Sequence, residues 1–266
     1  MSDITKQIAD LFDSVAHQYD GNAFFQKSAE KLVNYLPPDL EGRVLDICCG
    51  TGAISIILAK HFPHLSVHGI DISEVMLKIA REKCNQLKIY NAYFTKLDVN
   101  NALAMQGFYD SITAGYALFF LPELPATLQK LTGKLKPGGI LAFSTFTANA
   151  FQPYLTHFRN LLEEYDVHFP QIPHKLQTET EINNICQAAG VATPIIVSEE
   201  IRYPIESEDW WQLLNSAGYK AILSQISKDH ISEFKTRHLK TIKEYSVNNK
   251  IMLNADSLLS FVLHPY

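Results

Sequence analysis

Three aspartates stand within or just after apolar runs: Asp46 in Val44-Leu45-Asp46-Ile47, Asp71 after Leu65-Ser66-Val67-His68-Gly69-Ile70, and Asp98 after the stretch from Tyr90 to Leu97. Asp46 leads into Cys48-Cys49-Gly50-Thr51-Gly52, so that Asp46, Gly50 and Gly52 spell D-x-x-x-G-x-G. The glycines allow a tight turn where backbone approaches a ligand closely. The helix expected from about Gly52 to His61 aims its N-terminal amides at whatever lies over that turn. A dinucleotide pyrophosphate calls for G-x-G-x-x-G or A, and the third position here is Ser55. Asp46 beside the turn would repel a pyrophosphate and attract a cationic amino group. Asp71, 19 positions past Gly52, suits a ribose, because one carboxylate accepts hydrogen bonds from both hydroxyls.

Side chains able to move a proton are less well marked. His17, Tyr116, His157, His168 and His174 are candidates by chemistry alone, and ten histidines in 266 residues leave none of them distinguished. Cys48 and Cys49 are adjacent rather than spaced as C-x-x-C, so they are expected to line the turn as reduced thiols, with no metal.

These residues need a scaffold, and the sequence implies one. Val44–Ile47 reads as a buried strand, Leu65–Asp71 as a second, Tyr90–Leu97 as a third, Phe108–Tyr116 as a fourth and the segment opened by Leu135-Lys136-Pro137-Gly138-Gly139 as a fifth. Helices are expected between them, one capped by Ser73 with Glu74 in its first turn and Val75, Met76, Ile79 and Ala80 on its apolar face. Strand six is expected over Ile195–Tyr203 and strand seven over Leu258–Leu263. Ahead of the first strand lie two helices, residues 4–20 and Ala23–Leu36, the second stopped by Pro37-Pro38. After the fifth strand come a helical stretch over 147–165, a break at Pro170-Gln171-Ile172-Pro173, and a helix from Glu179 to Ala189 closed by Gly190. Alternating strands and helices place the chain in the α/β class, and open sheets of this class bind ligands at the C-terminal strand ends. Gly115 and Tyr116 end the fourth strand there.

The chain has 47% hydrophobic and 19% charged residues and a formal net charge of -5, which fits a globular protein without a broad basic surface for nucleic acid. No apolar run reaches membrane-spanning length, no signal peptide stands out, and four cysteines make no disulfide framework. A cytoplasmic protein is expected. Oligomeric state is left open.

D-x-x-x-G-x-G, the acid after strand two, the F-x-D of Phe108-Tyr109-Asp110 and the L-K-P-G-G turn together resemble class I S-adenosylmethionine-dependent methyltransferases. Phe12-Asp13-Ser14-Val15-Ala16-His17-Gln18-Tyr19-Asp20 resembles the F-x-x-x-A-x-x-Y-D segment of the quinone- and biotin-biosynthesis members. Phe24-Phe25-Gln26-Lys27 adds a partial likeness to the carrier-protein carboxylate methyltransferase of biotin synthesis. The resemblance implies a Rossmann-like, seven-stranded, mostly parallel sheet of order 3-2-1-4-5-7-6 with strand seven antiparallel. It implies a single domain over 1–266: a helical cap (1–40), a cofactor-binding core (41–146), helices and a loop (147–193), and a helical lid (206–250) between strands six and seven. The implied cofactor is S-adenosylmethionine, leaving as S-adenosylhomocysteine. Its implied contacts are Tyr19, Asp46, Cys48, Gly50, Thr51, Gly52, Asp71, Ile72, Met76, Asp98, Val99, Gly115 and Tyr116, with Asp98 on the adenine amino group. Met76 could equally pack against the sheet.

The implied acceptor is small or carrier-bound. Phe120, Trp210 and Trp211 are expected near it, with one tryptophan in the core and one facing the pocket. Two rivals remain at this level: an NAD(P)-dependent oxidoreductase, which shares the first βα unit and the acid after strand two, and a non-catalytic cofactor-binding protein that keeps the fold. Ser55, Asp46, the fourth-strand signature and L-K-P-G-G weigh against the first.

Overall fold

The computed structural model describes residues 3–104, 106–168, 175–216 and 218–265. The expected break at Pro170–Pro173 and the candidate His174 lie outside the described residues. Two helices, α1 (Asp3–Tyr19) and α2 (Ala23–Asn34), precede an alternating core: β1 (Arg43–Ile47), α3 (Ala53–His61), β2 (Ser66–Asp71), α4 (Glu74–Leu87), β3 (Ala92–Lys96), α5 (Val99–Ala104), β4 (Tyr109–Gly115), α6 (Leu124–Thr132) and β5 (Leu135–Phe146). Then follow α7 (Tyr154–Glu163), α8 (Glu179–Ala188), β6 (Ile195–Glu199), β7 (Arg202–Ile205), α9 (Ser207–Ser216), α10 (Lys220–Leu223), α11 (Ile231–Lys243), β8 (Ile251–Asn254) and β9 (Ser257–Leu263).

The main sheet has seven strands in the order β3-β2-β1-β4-β5-β9-β6. β1 to β5 pair in parallel, and β9 runs antiparallel between β5 and β6. This is the expected sheet, with β9 in the place of strand seven. Val44 to Ile47 are buried, as a central strand covered by helices on both faces requires. On one face α2, α3 and α4 contribute Leu32, Leu58 and Leu77 to the core; on the other, α6 and α8 contribute Leu128, Leu131 and Ile182. Helix starts follow local chemistry: Ser73 accepts the Met76 N–H (3.1 Å) at α4, and Thr178 and Glu181 form a reciprocal capping box at α8.

Two expectations about strands are corrected. The run Ile195–Tyr203 is two strands, because the chain bends at Glu200-Ile201 and β7 leaves the main sheet to pair with β8. Asp256 fixes the bend, accepting the Ile201 N–H (2.9 Å) and holding the Arg202 guanidinium (2.6 Å). The L-K-P-G-G segment belongs to β5 itself, where it makes an irregularity opposite Tyr109–Ser111. Lys136 in that irregularity grips Asp110, which also accepts the Arg43 N–H (2.7 Å).

Helices α9 to α11 lie between β7 and β8 and share a separate core with α7, Phe24 and Tyr116. This second core sits over the C-terminal ends of β4 and β5. Its seam with the sheet is where the candidate site lies.

Candidate active site

The turn after β1 is built by the two glycines and Asp46. Gly52 has φ +81°, and a Cβ there would stand 3.1 Å from Ala80 Cβ and 3.2 Å from the Phe94 ring. Gly52 therefore lets α3 approach α4 and β3, and it lines none of the three clefts described below. Asp46 is fully buried. Ser55 donates to one of its oxygens through its N–H (3.1 Å) and Oγ–H (2.5 Å), and Thr113 Oγ–H donates to the other (2.8 Å). Ser55, which departs from the dinucleotide fingerprint, is thus the residue that ties the acid to the N-terminus of α3. Burial pushes the Asp46 pKa up to about 6 in spite of these hydrogen bonds.

Asp71 at the end of β2 accepts the Gly50 N–H (2.9 Å) and the Ser73 N–H (2.9 Å), so it braces the glycine turn against the start of α4. Burial raises its pKa, and the backbone donors oppose that. Asp98 accepts the Asn100 N–H (2.8 Å) at the start of α5.

Three adjoining clefts open along the strand ends. The first, about 470 Å³, is lined by Asp46, Cys48, Gly50, Thr51, Ile54, Gly115 and Ser144 among others. The second, about 910 Å³, is lined by Asp71, Ile72, Met76, Asp98, Val99, Ala117 and Phe120 with Cys48 and Gly50. The third, about 1,110 Å³, has Phe12, Phe24, Phe25, Phe119, Phe120, Phe146, Phe151 and Tyr219 on its walls. Tyr19 and Tyr116 border all three. Tyr19 stacks on Phe25 with ring centroids 4.4 Å apart, and Tyr116 stacks on Phe146 at 4.1 Å.

Helix α1 lies against the first two clefts. Asp20, just after α1, accepts Thr51 Oγ–H (2.6 Å) and pairs with Lys83 (2.6 Å). Asp13 in α1 accepts Ser73 Oγ–H at the start of α4.

The sequence candidates divide accordingly. The structure brings together Tyr19, Asp46, Cys48, Gly50, Thr51, Asp71, Ile72, Met76, Asp98, Val99, Gly115, Tyr116 and Phe120, and leaves out Gly52. Met76 is 1% exposed yet reaches the second cleft, so packing and lining coexist there. Neither tryptophan lines any of the three clefts, which corrects the expectation for one of them. Trp210 donates its indole N–H to His238 Nε2 (2.8 Å) inside the second core, and Trp211 packs on Phe234 under Lys235.

The proton-transfer candidates are also dispersed. His17 and His168 are exposed and His157 is bound to the Tyr245 hydroxyl (2.7 Å). No histidine among the described residues lines any of the three clefts. The Tyr116 hydroxyl is bonded to Ser257 Oγ (2.6 Å), and burial pushes its pKa up to about 12. Burial also holds the Cys48 and Cys49 thiols well above the ordinary range, with the charges of Asp71 and Asp46 adding to it, so both stay protonated and unreactive. No group of three or more potential metal ligands occurs among the described residues. No helix among them is long and apolar enough to cross a membrane.

Sequence reasoning missed Phe146, Phe151, Tyr219, Arg159 and Lys175 on the third cleft. A signal was present in the density of aromatics at strand ends and in the cap. What it lacked was the path of α7 and α10, which no local pattern defines.

Comparison with known proteins follows the geometry. A malonyl-(acyl-carrier protein) O-methyltransferase of Acetivibrio thermocellus is 34% identical over 191 residues, covering 69% of this chain and 65% of that protein. The chain spans just under two thirds of the length of the malonyl relatives it matches. An aklanonic acid methyltransferase of Streptomyces sp. (strain C5) is 31% identical over 159 residues, covering 58% of this chain and 72% of that protein. Among solved structures, magnesium protoporphyrin IX methyltransferase from Synechocystis PCC 6803 with bound SAM shares the fold, with TM-score 0.56 and 18% identity over 99% of this chain and 98% of that one. Residues 39–218 match the methyltransferase domain family, and this chain, matched over more than half its length, belongs to that family.

Proposed function

We propose that the protein transfers the methyl group of S-adenosylmethionine to a small or carrier-bound organic acceptor. The observation that carries this reading is that Tyr19 and Tyr116 border all three clefts, so a groove with acids at three strand ends opens directly onto an aromatic pocket. The residues present fit the cofactor. Asp46 and the turn would face its amino-acid end, Asp71 its ribose, and Asp98, Met76 and Val99 its adenine. Bound there, it would supply an electrophilic methyl carbon on a sulfonium.

The chain's own contribution is then positioning and exclusion of water. Aromatic walls exclude water from the third cleft, and the cap covers the first two. With no histidine on the described lining and the Tyr116 hydroxyl engaged by Ser257, the reading favours an acceptor whose reacting oxygen is already ionised, as a carboxylate is. The malonyl relatives are O-methyltransferases, which points the same way. Four free cysteines support a reducing, cytoplasmic setting, and the net charge of -5 supports a function apart from nucleic acid.

Calorimetric titration with S-adenosylhomocysteine, and with NADH as the contrast, tests the reading. Micromolar binding of the first and none of the second is the expected result, followed by label transfer from a radioactive methyl donor to an acceptor panel. Binding of NADH alone would overturn it.

A further inference from the structure

Arg159 and Lys175 line the third cleft and neither of the other two. They are the only charged side chains on its described lining, in a chain whose net charge is -5. Against that net negative charge, two cations on an otherwise uncharged lining are a selective feature. Buried neighbours flank both. Arg159 sits in α7, whose Phe158 and Leu162 are buried, and Lys175 precedes Leu176, buried in the sheet-side core. Gln177 beside it takes the Ala148 N–H on its carbonyl (3.1 Å).

Arg159 stands apart from the transfer point. From Tyr116 a wall of rings runs through Phe146 (4.1 Å between centroids) and Phe151 (4.9 Å) to Tyr219 (6.4 Å). The Arg159 charge is close enough to Tyr219 to lower its phenol pKa, which burial otherwise pushes up to about 12. One end of the wall therefore meets the cofactor groove and the other meets a guanidinium.

Resting on the methyltransferase reading, we propose that Arg159 and Lys175 form an anchor for a second, non-reacting anionic group of the acceptor, a carboxylate or phosphate, with an apolar body lying along the ring wall between anchor and transfer point. Guanidinium and ammonium groups bind such oxyanions by charge-assisted hydrogen bonds, and a partly desolvated pocket strengthens them. The anion has two possible sources. It belongs to a free acid, or it is the phosphate of an arm tethering an acyl group to a carrier.

The test uses protein saturated with S-adenosylhomocysteine and two fluorescent probes with the same rings, 8-anilinonaphthalene-1-sulfonate and neutral N-phenyl-1-naphthylamine. The anionic probe should bind about tenfold more tightly or better, and the preference should disappear in the Arg159→Gln/Lys175→Gln double variant while the neutral probe binds as before. Unchanged S-adenosylhomocysteine affinity and circular dichroism show that the variant is folded. Displacement of the anionic probe by 2-naphthoate assigns the anchor to free acids. Displacement by the 4′-phosphopantetheine thioester of 2-naphthoate, whose anion is the phosphate, assigns it to a carrier arm. Either is supported by a matching loss in the double variant. Equal affinity of the two probes in wild-type protein, or a preference that survives in the variant, would overturn the anchor and leave the cofactor reading standing. Failure of S-adenosylhomocysteine to bind at all would remove the cofactor reading.

Discussion

The Asp46 carboxylate is fully buried, and its oxygens are held by Ser55 and Thr113 at 2.5 to 3.1 Å. Burial moves its pKa from 3.8 to about 6, so the fold binds this proton more tightly than the unfolded chain does. The stabilisation that follows is fully present below pH 3.8 and is lost as pH rises through about 6. Above that, the ionised group costs the fold about 3 kcal/mol. An acid retained at this cost is consistent with binding a cationic amino group. Asp46→Asn leaves an amide oxygen for Ser55 and an amide donor for Thr113. Thermal melts are expected to show the variant about 1 to 3 kcal/mol more stable than wild type at pH 8 and equal to it at pH 4. Its S-adenosylhomocysteine affinity should fall about tenfold. A variant less stable at pH 8 would show that the carboxylate stabilises the turn rather than straining it.

Asp71 differs, because its backbone bonds to Gly50 and Ser73 make it part of the turn as well as of the cleft. Asp71→Ala is expected to weaken cofactor binding by about 1.5 to 3 kcal/mol, and calorimetry on the folded variant checks it. Unchanged affinity would remove Asp71 from the site.

Among the elements, α1 is joined to the sheet through small polar contacts near the cofactor groove, Asp13 to Ser73 and Asp20 to Thr51 and Lys83. A ligand in the second cleft is covered by Ile8, Phe12 and Tyr19 from this helix. Asp13→Ala removes one of the contacts and leaves the lining intact. S-adenosylhomocysteine should then dissociate roughly tenfold faster with its association rate little changed, in stopped-flow measurements. An unaltered dissociation rate would mean that release does not require α1 to lift.

The legible and illegible parts of this molecule separate at the same scale. Strand ends were readable because period, glycines and acids coincide within a few residues, as at Asp46 and Asp71. The bend at Ile201 was not, because it is made by Asp256, 55 positions away. Only the expected pocket-facing tryptophan was misplaced, for a similar reason: what settles the tryptophan pair in the second core is His238, 28 positions on from the Trp210 indole that it holds. Local pattern shows that a residue has a face; only the packed partner shows which way it turns.

For the whole molecule, two buried titrating groups sit in different cores and pull in opposite directions. His238, between α9 and α11, has its pKa lowered from 6.5 to about 4, by burial first and the charge of His157 second. It folds neutral, so its contribution is fully present above pH 6.5 and is lost as pH falls through about 4, a loss of about 3 kcal/mol. Asp46 gains about as much over nearly the same interval. If the two cores unfold together, the gains and losses of these two groups cancel.

The contacts between them favour one unit. Phe24 and Tyr116 belong to the second core, Asn22 bonds Ser216 (2.9 Å), the Tyr203 hydroxyl takes the Phe24 N–H (3.2 Å), and β9 follows β8 into the main sheet between β5 and β6. Scanning calorimetry of wild type and Asp46→Asn at pH 7 and pH 4 is therefore expected to give one transition in each protein. From pH 7 to pH 4 the variant should lose about 1 to 3 kcal/mol more than wild type, because His238 then acts without its counterweight. Two transitions, with the earlier one moving identically in both proteins as pH falls, would instead show that α9 to α11 melt alone. These helices would then be a unit able to open without disturbing the sheet beneath them.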